Sequence, residues 1–110
     1  MWNDFTKSEL DQIPTLWQTE GIPLEDKLIY AHLFINGCDW YIVEYDKENE
    51  LFFCFAILNS DFINAEWGYV DYEELKEIKT AAGIEVDREL FWHIRPVKEI
   101  ELITRCRLWK

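Results

Sequence analysis

Carboxylate side chains in two short stretches carry the chemistry that this sequence offers most plainly. The candidate partner-binding residues are Asp46, Glu48, Glu50, Glu73, Glu74 and Glu77. Duplex DNA displays one negative charge about every 1.7 Å of its axis, so a rigid ridge of carboxylates can occupy a basic groove made for phosphates. We therefore expect an acidic surface that binds a basic nucleic-acid-handling protein as a nucleic-acid mimic. The competing interpretation is a solvated face whose charge serves solubility.

The turn from Asp46 to Glu50 also has the alternation of a calcium-binding loop, but the rest of that motif is missing. An EF-hand needs Gly at its sixth position and Glu at its twelfth, where this chain has Leu51 and Ile57. The cysteines form no CxxC pair, and the two histidines lack the short spacing of zinc ligands. We therefore expect no metal and no cofactor.

Glu44 is the carboxylate best placed for a buried role, because it lies within an otherwise apolar segment. An acid or base buried in a cleft is a candidate for catalysis or ligand binding. The alternative site is therefore a small-ligand or catalytic pocket around Glu44, Tyr45 and Arg88. The competing structural explanation is a strand-face glutamate paired with Arg88 or with a lysine.

No nucleophile in the chain has a recognisable catalytic motif around it. Serines and cysteines are present, as are His32 and His93, but none has the neighbours that a nucleophile and its base require. We therefore favour a protein without enzymatic activity. Direct nucleic-acid binding is not expected either, since single-strand binders combine stacking rings with a basic groove.

Composition indicates one folded, acidic domain. The chain has 110 residues, a formal net charge of −11, 49% hydrophobic residues and 16% aromatic residues. That length suits a single core, and the apolar content is too high for a disordered chain. No apolar run approaches the roughly 20 residues of a membrane span, and the start lacks the features of a secretory signal. We expect a cytoplasmic protein with reduced thiols, and the oligomeric state stays open.

The order of elements predicts an α+β fold, with an antiparallel meander of four or five strands and two or three helices packed on it. Thr6 and Glu9 have capping-box spacing, which indicates where the first helix begins. The expected parts, in chain order, are an N-terminal helix at about 6–17, the sheet at about 28–70, a helix at about 71–82, and a C-terminal strand and tail at 88–110. Because of Pro14, the first helix is expected either to stop near Ile13 or to restart at Pro14.

Three parts of the meander can be predicted in detail. The dipeptide Asn36-Gly37 is the pair best suited to a two-residue type I′ hairpin turn. The uncharged run 51–58 predicts a central strand covered on both faces. Residues 65–70 are expected to form the next strand, in which Gly68 marks a bulge or a close approach of two backbones.

The second helix and the last strand are predicted from cap and breaker residues. Asp71 is a good N-cap, and Gly83 is expected to end the helix in the left-handed conformation. Residues 90–94 are then expected to rejoin the sheet as a fifth strand before Pro96. The pattern from 95 to 110 predicts no definite structure.

Charge is polarised along the chain. Residues 1–94 carry 6 basic and 20 acidic groups, a net charge of −14, whereas residues 95–110 carry 5 basic and 2 acidic groups, a net charge of +3. This basic tail either meets an acidic partner or pairs with the acidic body of the same chain. Both interpretations stay open.

Several short segments follow one another in a recognisable order. They are Leu33-Phe34, Trp40–Asp46, Leu51–Phe53, Gly68-Tyr69, Glu74-Leu75 and Asp87–Leu90. This order resembles a small bacterial family of uncharacterised proteins, catalogued as a domain of unknown function and frequent on plasmids, conjugative elements and phages. The similarity spans roughly residues 23–100. The resemblance implies an accessory protein of a mobile genetic element and no established activity.

Overall fold

A computed structural model describes all 110 residues, and a five-stranded antiparallel sheet is its main element. The strands are β1 (Leu28–Ile29), β2 (Ala31–Ile35), β3 (Cys38–Asp46), β4 (Leu51–Ile57), β5 (Glu66–Asp71), β6 (Asp87–Arg88) and β7 (Arg95–Pro96). The large sheet has the order β5-β4-β3-β2-β6, and β1 pairs with β7 separately. The helices are α1 (Lys7–Asp11), α2 (Tyr72–Glu77) and α3 (Glu101–Thr104), with 3-10 turns at Leu24–Asp26 and Val97–Glu99. The predicted α+β fold is confirmed.

Each face of the large sheet carries an apolar cluster, because successive side chains of a strand point to opposite sides. On β4, Phe52 and Cys54 join one apolar cluster, whereas Phe55 and Ile57 join the other. The N-terminal segment, α2 and Val86 complete the first cluster, and the C-terminal segment completes the second. The prediction of a strand covered on both faces at residues 51–58 is therefore confirmed.

The hairpin turn between β2 and β3 has the predicted geometry. Asn36 has a φ of 40° and Gly37 a φ of 82°, and a type I′ turn requires positive φ at both positions. The turn sets the register of the hairpin, in which His32 lies opposite Tyr41. Local sequence therefore determines which side chains face each other across these strands.

A bulge occurs in β3, whereas Gly68 lies in a regular strand. The register between β3 and β4 shifts between Ile42 and Glu44, so Val43 is the extra residue. β5 pairs with β4 without a shift, and a Cβ added to Gly68 would meet no atom within 4 Å. The prediction of a bulge or a close approach at Gly68 is therefore wrong, and this glycine instead borders an open groove.

α1 begins as predicted and ends early. The Thr6 N–H donates to the Glu9 carboxylate (2.8 Å), and the Glu9 N–H donates to the Thr6 hydroxyl (3.2 Å), which confirms the capping box. The helix stops at Asp11, so the prediction of a helix to residue 17 is wrong. Residues before a proline avoid the helical conformation, so Pro14 disfavours helix in the residue that precedes it. The Pro14 carbonyl accepts the Tyr45 N–H of β3 (2.8 Å) instead of a helical N–H.

α2 is also shorter than predicted. The Asp71 side chain accepts the Glu74 N–H (3.3 Å), as expected of an N-cap, but the helix ends at residue 77 rather than 82. Gly83 has the expected left-handed conformation, with a φ of 84°, but the prediction that it ends the helix is wrong. β-Branched Ile78 and Thr80 are weak helix formers, and the Thr80 N–H donates to Ile84 across a tight turn (2.8 Å). None of the helices has the length and the apolar character that crossing a membrane would require.

The C-terminal part rejoins the large sheet earlier than predicted. β6 pairs with β2 at residues 87–88, and residues 90–94 form no strand, so that prediction is wrong. Pairing ends because the chain turns away after the Glu89 N–H has donated to the His32 carbonyl (3.0 Å). The Trp92 indole then donates to the Ile29 carbonyl (2.9 Å), which holds the departing segment against β1.

Candidate functional site

The β3–β4 turn and α2 lie side by side at one end of the sheet. Leu51, the first residue of β4, pairs with Asp71, the last residue of β5. One residue further, the Tyr72 N–H donates to the Glu50 carbonyl (2.9 Å), so the ladder continues into the start of α2. The sequence-predicted partner-binding residues therefore share one region. We call it the acidic end and define it as Asp46, Glu48, Glu50, Glu73, Glu74 and Glu77.

Little positive charge balances the acidic end. Among its carboxylates only Glu73 forms an ion pair, with Lys76 (2.8 Å). Lys47 lies in the same turn but pairs with Asp11 of α1 (2.5 Å). The exposed carboxylates are Glu48, Glu73, Glu74 and Glu77. The acidic end therefore presents net negative charge to the solvent.

The turn that carries half of the acidic end is held by its own side chains. The Asp46 carboxylate accepts the side-chain amide of Asn49 (2.8 Å) and the N–H of Glu48 (3.0 Å). The Asn49 side-chain hydrogen bond, with the backbone donors, keeps the pKa of Asp46 below its usual value. The carboxylate is therefore ionised at neutral pH, and the turn has a defined shape.

Aromatic rings support the acidic end from the core. The Tyr45 ring packs against Phe52 at 4.9 Å and against Tyr72 at 5.9 Å between centroids. The Lys76 ammonium lies 4.4 Å from the Tyr72 ring centroid. Burial raises the pKa of both tyrosines, so they remain neutral. Tyr45, proposed for the alternative pocket, is thus part of the packed core.

Glu44 is buried and holds the loop of residues 15–22 against the sheet. One carboxylate oxygen accepts the Trp17 N–H (2.9 Å), and the other accepts the Thr19 N–H (3.0 Å). The Thr19 hydroxyl also donates to the carboxylate and accepts from the Lys27 ammonium (3.1 Å). Both oxygens of Glu44 are therefore occupied by donors of the same chain.

The structure does not bring Arg88 to Glu44. The Arg88 guanidinium donates to the Glu9 carboxylate (2.7 Å) and to the Asn3 carbonyl (2.9 Å). A depression of about 300 Å³ borders Glu44, another of about 170 Å³ borders Arg88, and the two share no lining residue. The residues named for the alternative pocket thus lie in three separate environments.

A cluster around His32 was missed by the reasoning from sequence. The two ring nitrogens lie 2.7 Å from an Asp39 carboxylate oxygen and 2.8 Å from a Glu89 carboxylate oxygen. The imidazole stacks on Tyr41 with 4.5 Å between the ring centroids. The register set by the Asn36-Gly37 turn was the available signal, because it places His32 opposite Tyr41 and diagonal to Asp39. The cluster fastens the segment after β6 to the sheet.

A groove of about 580 Å³ lies on one face of β4 and β5. Small residues form its floor, since Cys54 pairs with Gly68 in the ladder and Ala56 pairs with Glu66. Trp40 contributes to its wall, and the exposed carboxylates of Asp61 and Glu66 lie at its rim. The groove exists because β5 is an edge strand and no helix covers this part of the face.

The fold contains no cluster of metal-ligating side chains, and its most deeply buried thiol is protonated. No group of three or more His, Cys, Asp or Glu side chains is arranged to hold a metal ion. The three cysteines are free thiols, and burial raises the pKa of Cys54 to about 12. A thiol of that pKa is protonated at neutral pH and is a poor nucleophile.

The basic tail pairs with the acidic body at one ion pair. Lys98 donates to the Asp26 carboxylate (2.9 Å), whereas Arg105 pairs with Glu101 within the tail itself (2.9 Å). Arg95 stacks on the Trp92 ring at 4.3 Å from its centroid. The tail is therefore held to the body by apolar packing and by hydrogen bonds to the backbone more than by ion pairs, and its cations do not neutralise the acidic end.

No family model, curated protein or solved structure matches the chain. The resemblance to the family found on mobile elements therefore stays a prediction. Fold and site together define a class: a small acidic α+β domain with a carboxylate-rich end and an open groove beside its edge strand.

Proposed function

We propose that the protein is a non-enzymatic accessory protein of a mobile genetic element that binds a basic, nucleic-acid-handling protein through the acidic end. The carboxylates act as a nucleic-acid mimic and occupy the groove that the partner uses for phosphates. One observation carries this: the β3–β4 turn and α2 lie side by side, and Glu73 alone among their carboxylates is neutralised by an ion pair. The mobile-element setting is supported by the family resemblance.

The dimensions of the acidic end suit this role. α2 has 6 residues and spans about 9 Å at 1.5 Å per residue. Duplex DNA carries about five phosphate charges over that length, at one charge per 1.7 Å of axis. Helix and turn together carry six carboxylates, of which Glu48, Glu73, Glu74 and Glu77 are exposed. The number of negative charges that a phosphate-binding groove would meet is therefore similar.

Long-range charge and local rigidity support binding in different ways. The formal net charge of −11 attracts a basic partner before contact, which raises the association rate. The Asx bonds of Asp46 and the N-cap of Asp71 hold the backbone of the turn and of the start of α2, so little backbone freedom is lost on binding.

The proposed partner places the protein in the cytoplasm. Its three free thiols suit a reducing compartment, in which disulfides rarely persist. Neither a cofactor nor a metal takes part in the proposed binding, and no bond is made or broken.

The test begins with affinity capture from a lysate of the protein's own host, followed by elution over a salt gradient. We expect a basic nucleic-acid-binding protein to elute at moderate salt, because a charge-driven contact is screened. The purified partner is then bound to a fluorescent DNA duplex, and the acidic protein is added. Displacement of the duplex is the expected result. A ternary complex with the duplex still bound would contradict mimicry.

Two charge-matched variants show whether the acidic end is responsible. The test variant carries E73Q, E74Q and E77Q, and the control carries E20Q, E25Q and E99Q, so each has a formal net charge of −8 instead of −11. The control residues lie outside the acidic end. We expect the test variant to lose displacement of the duplex and the control to retain it.

A further inference from the structure

β5 is a long strand at the edge of the large sheet, and its outer side has no partner. Its 6 residues pair with β4 on one side only, whereas the opposite edge strand, β6, has 2 residues. Among the backbone hydrogen bonds of turns, loops and caps, none involves the amide or carbonyl groups of residues 66–70. An unpaired strand edge is a template for adding a further strand.

The pairing shows which backbone groups point outward. The Tyr72 N–H bonds the Glu50 carbonyl, and hydrogen-bonded pairs alternate along an antiparallel ladder. Gly68 and Val70 therefore direct their backbone groups toward β4, whereas Trp67 and Tyr69 direct theirs outward. Two residues of the free edge thus offer both an N–H donor and a C=O acceptor.

The groove lies beside this edge, on the face that Gly68 shares with Glu66 and Val70. Cys54, Ala56 and Gly68 give it a shallow floor, and Leu58, which is 51% exposed, extends its apolar lining. A Cβ on Gly68 would meet nothing within 4 Å, so there is room above the glycine for a side chain from another segment.

Negative charge at the Glu66 end of the groove favours a basic side chain of a bound segment. Glu66 begins β5, and Asp61 lies in the preceding loop; both carboxylates are exposed and neither forms an ion pair with Lys or Arg. Asp61 accepts hydrogen bonds from Asn64, which keep its pKa below the usual value. A basic side chain placed opposite Glu66 therefore meets negative charge.

We propose that the edge of β5 binds an extended peptide segment that adds a sixth strand to the sheet. Its backbone pairs with the outward groups of Trp67 and Tyr69. Its alternate side chains lie over the groove: a basic residue opposite Glu66, and apolar residues opposite Gly68 and Val70. The recognised pattern is basic-x-apolar-x-apolar in one chain direction and its reverse in the other. This site is separate from the acidic end and does not depend on it.

The test is selection from a displayed library of random heptapeptides with the 110-residue protein as bait. We expect enrichment of the alternating pattern with Lys or Arg at its end. A synthetic peptide of the enriched sequence is then titrated by fluorescence anisotropy. The same peptide with N-methyl groups on the amides facing Trp67 and Tyr69 is expected to bind at least about tenfold more weakly, because strand pairing is lost.

Three protein variants locate the site. Gly68→Val fills the groove at a position where a Cβ meets no atom within 4 Å, and Tyr69→Pro removes an outward N–H without removing a bond to β4. Each is expected to weaken peptide binding at least about tenfold. Tyr69→Thr, the matched control, keeps the N–H and is expected to bind within about threefold of the wild type. Melting temperatures establish that each variant is folded.

Three results would overturn the assignment. They are no enrichment of an alternating peptide, equal peptide binding by the wild type and Gly68→Val, and a wild-type dimer in sedimentation that Tyr69→Pro dissociates. The dimer would show that a second copy occupies the edge. If Tyr69→Pro fails to fold, the peptide affinity of Gly68→Val still tests whether the groove beside β5 is the binding site. Gly68→Val leaves every carboxylate of the acidic end in place, so its result is distinct from the test of the proposed function.

Discussion

Thr19, Lys27 and Glu44 are the polar residues that the fold buries, and hydrogen bonds join all three. Removing a charge from water is costly unless other groups replace the lost hydration. Here two backbone N–H groups and a hydroxyl replace it for the carboxylate, and the same hydroxyl lies between carboxylate and ammonium. The network explains how a glutamate is accommodated in an apolar strand.

Replacing Glu44 by Gln tests this structural role. One of the N–H groups of Trp17 and Thr19 would then face an amide NH₂ instead of an oxygen, and Lys27 would lose the nearby negative charge. We expect the free energy of unfolding, measured by urea titration at pH 7, to fall by about 1–3 kcal/mol. Glu48→Gln in the exposed turn is the control and is expected to change it little. Equal stability of the two variants would contradict the network.

Glu44 illustrates what single residues reveal in a sequence. A charge within an apolar segment signals burial, and that signal was present. Its partners lie 25 to 27 residues earlier, in a loop without periodicity, so nothing in the pattern connects them. Arg88 was the wrong partner to expect from charge alone, because the capping-box residue Glu9 is the carboxylate that the fold places beside it.

At the scale of elements, α1 is fixed to β6 by one arginine. The Arg88 guanidinium bonds Glu9 and lies 4.7 Å from the centroid of the Phe5 ring. The hydrogen bond from Arg88, together with the Thr6 N–H, lowers the pKa of Glu9 to about 2. A helix of 5 residues is too short to be stable alone, so the contacts of Arg88 with Glu9 and Phe5, together with the core contacts, keep α1 in place.

The ion pair between Glu9 and Arg88 predicts how the stability of the fold depends on pH. Because the folded-state pKa of Glu9 lies below its ordinary value, the carboxylate stabilises the fold fully above about pH 4.5 and loses that effect as the pH falls toward 2. We expect Glu9→Gln to be less stable than the wild type at pH 7, by at most about 1 kcal/mol for this partly exposed pair. The difference should shrink between pH 4.5 and 2.

Urea unfolding at pH 7, 4 and 3 measures this difference. Glu20→Gln, at an exposed position outside any ion pair, is the control and should match the wild type throughout. A gap between Glu9→Gln and the wild type that stays constant with pH would show that the carboxylate contributes by packing instead of by charge.

Element starts could be predicted from the sequence more reliably than element ends. Capping and turn signals are local, so Thr6, Asp71 and the Asn36-Gly37 turn occupy the expected places. Helix ends depend on long-range competition. The Pro14 carbonyl is used by β3, and the chain after α2 folds back in a turn at Thr80, neither of which is visible in a periodicity.

At the scale of the whole molecule, the C-terminal tail is the part that sequence reasoning missed. Val97, Ile100, Ile103 and Cys106 recur at every third residue and cover the second face of the sheet. The 3-10 turn and the short α3 bring these side chains to one side. The three-residue spacing was present in the sequence, but over one short segment it predicts neither the 3-10 turn nor α3. The spacing can be interpreted only once the sheet face that these side chains cover is known.

The separation of the basic tail from the acidic end is also a property of the whole molecule. The basic tail packs on the sheet through apolar residues, and its one ion pair to the body is made at Asp26, outside the acidic end. The acidic end therefore keeps its charge within the folded chain. The groove beside β5 could not have been predicted from sequence, because it depends on which strand lies at the edge and on small residues from two strands meeting in register.

The most direct test of the central claim is the salt dependence of binding between this protein and the captured basic partner. Affinity is measured over a range of salt concentrations for the wild type, the E73Q/E74Q/E77Q variant and the charge-matched E20Q/E25Q/E99Q control. We predict that log Kd rises with log salt for the wild type and the control, and that the acidic-end variant binds more weakly with a smaller slope. Equal slopes and affinities for the two variants would contradict the claim that the acidic end is the binding surface.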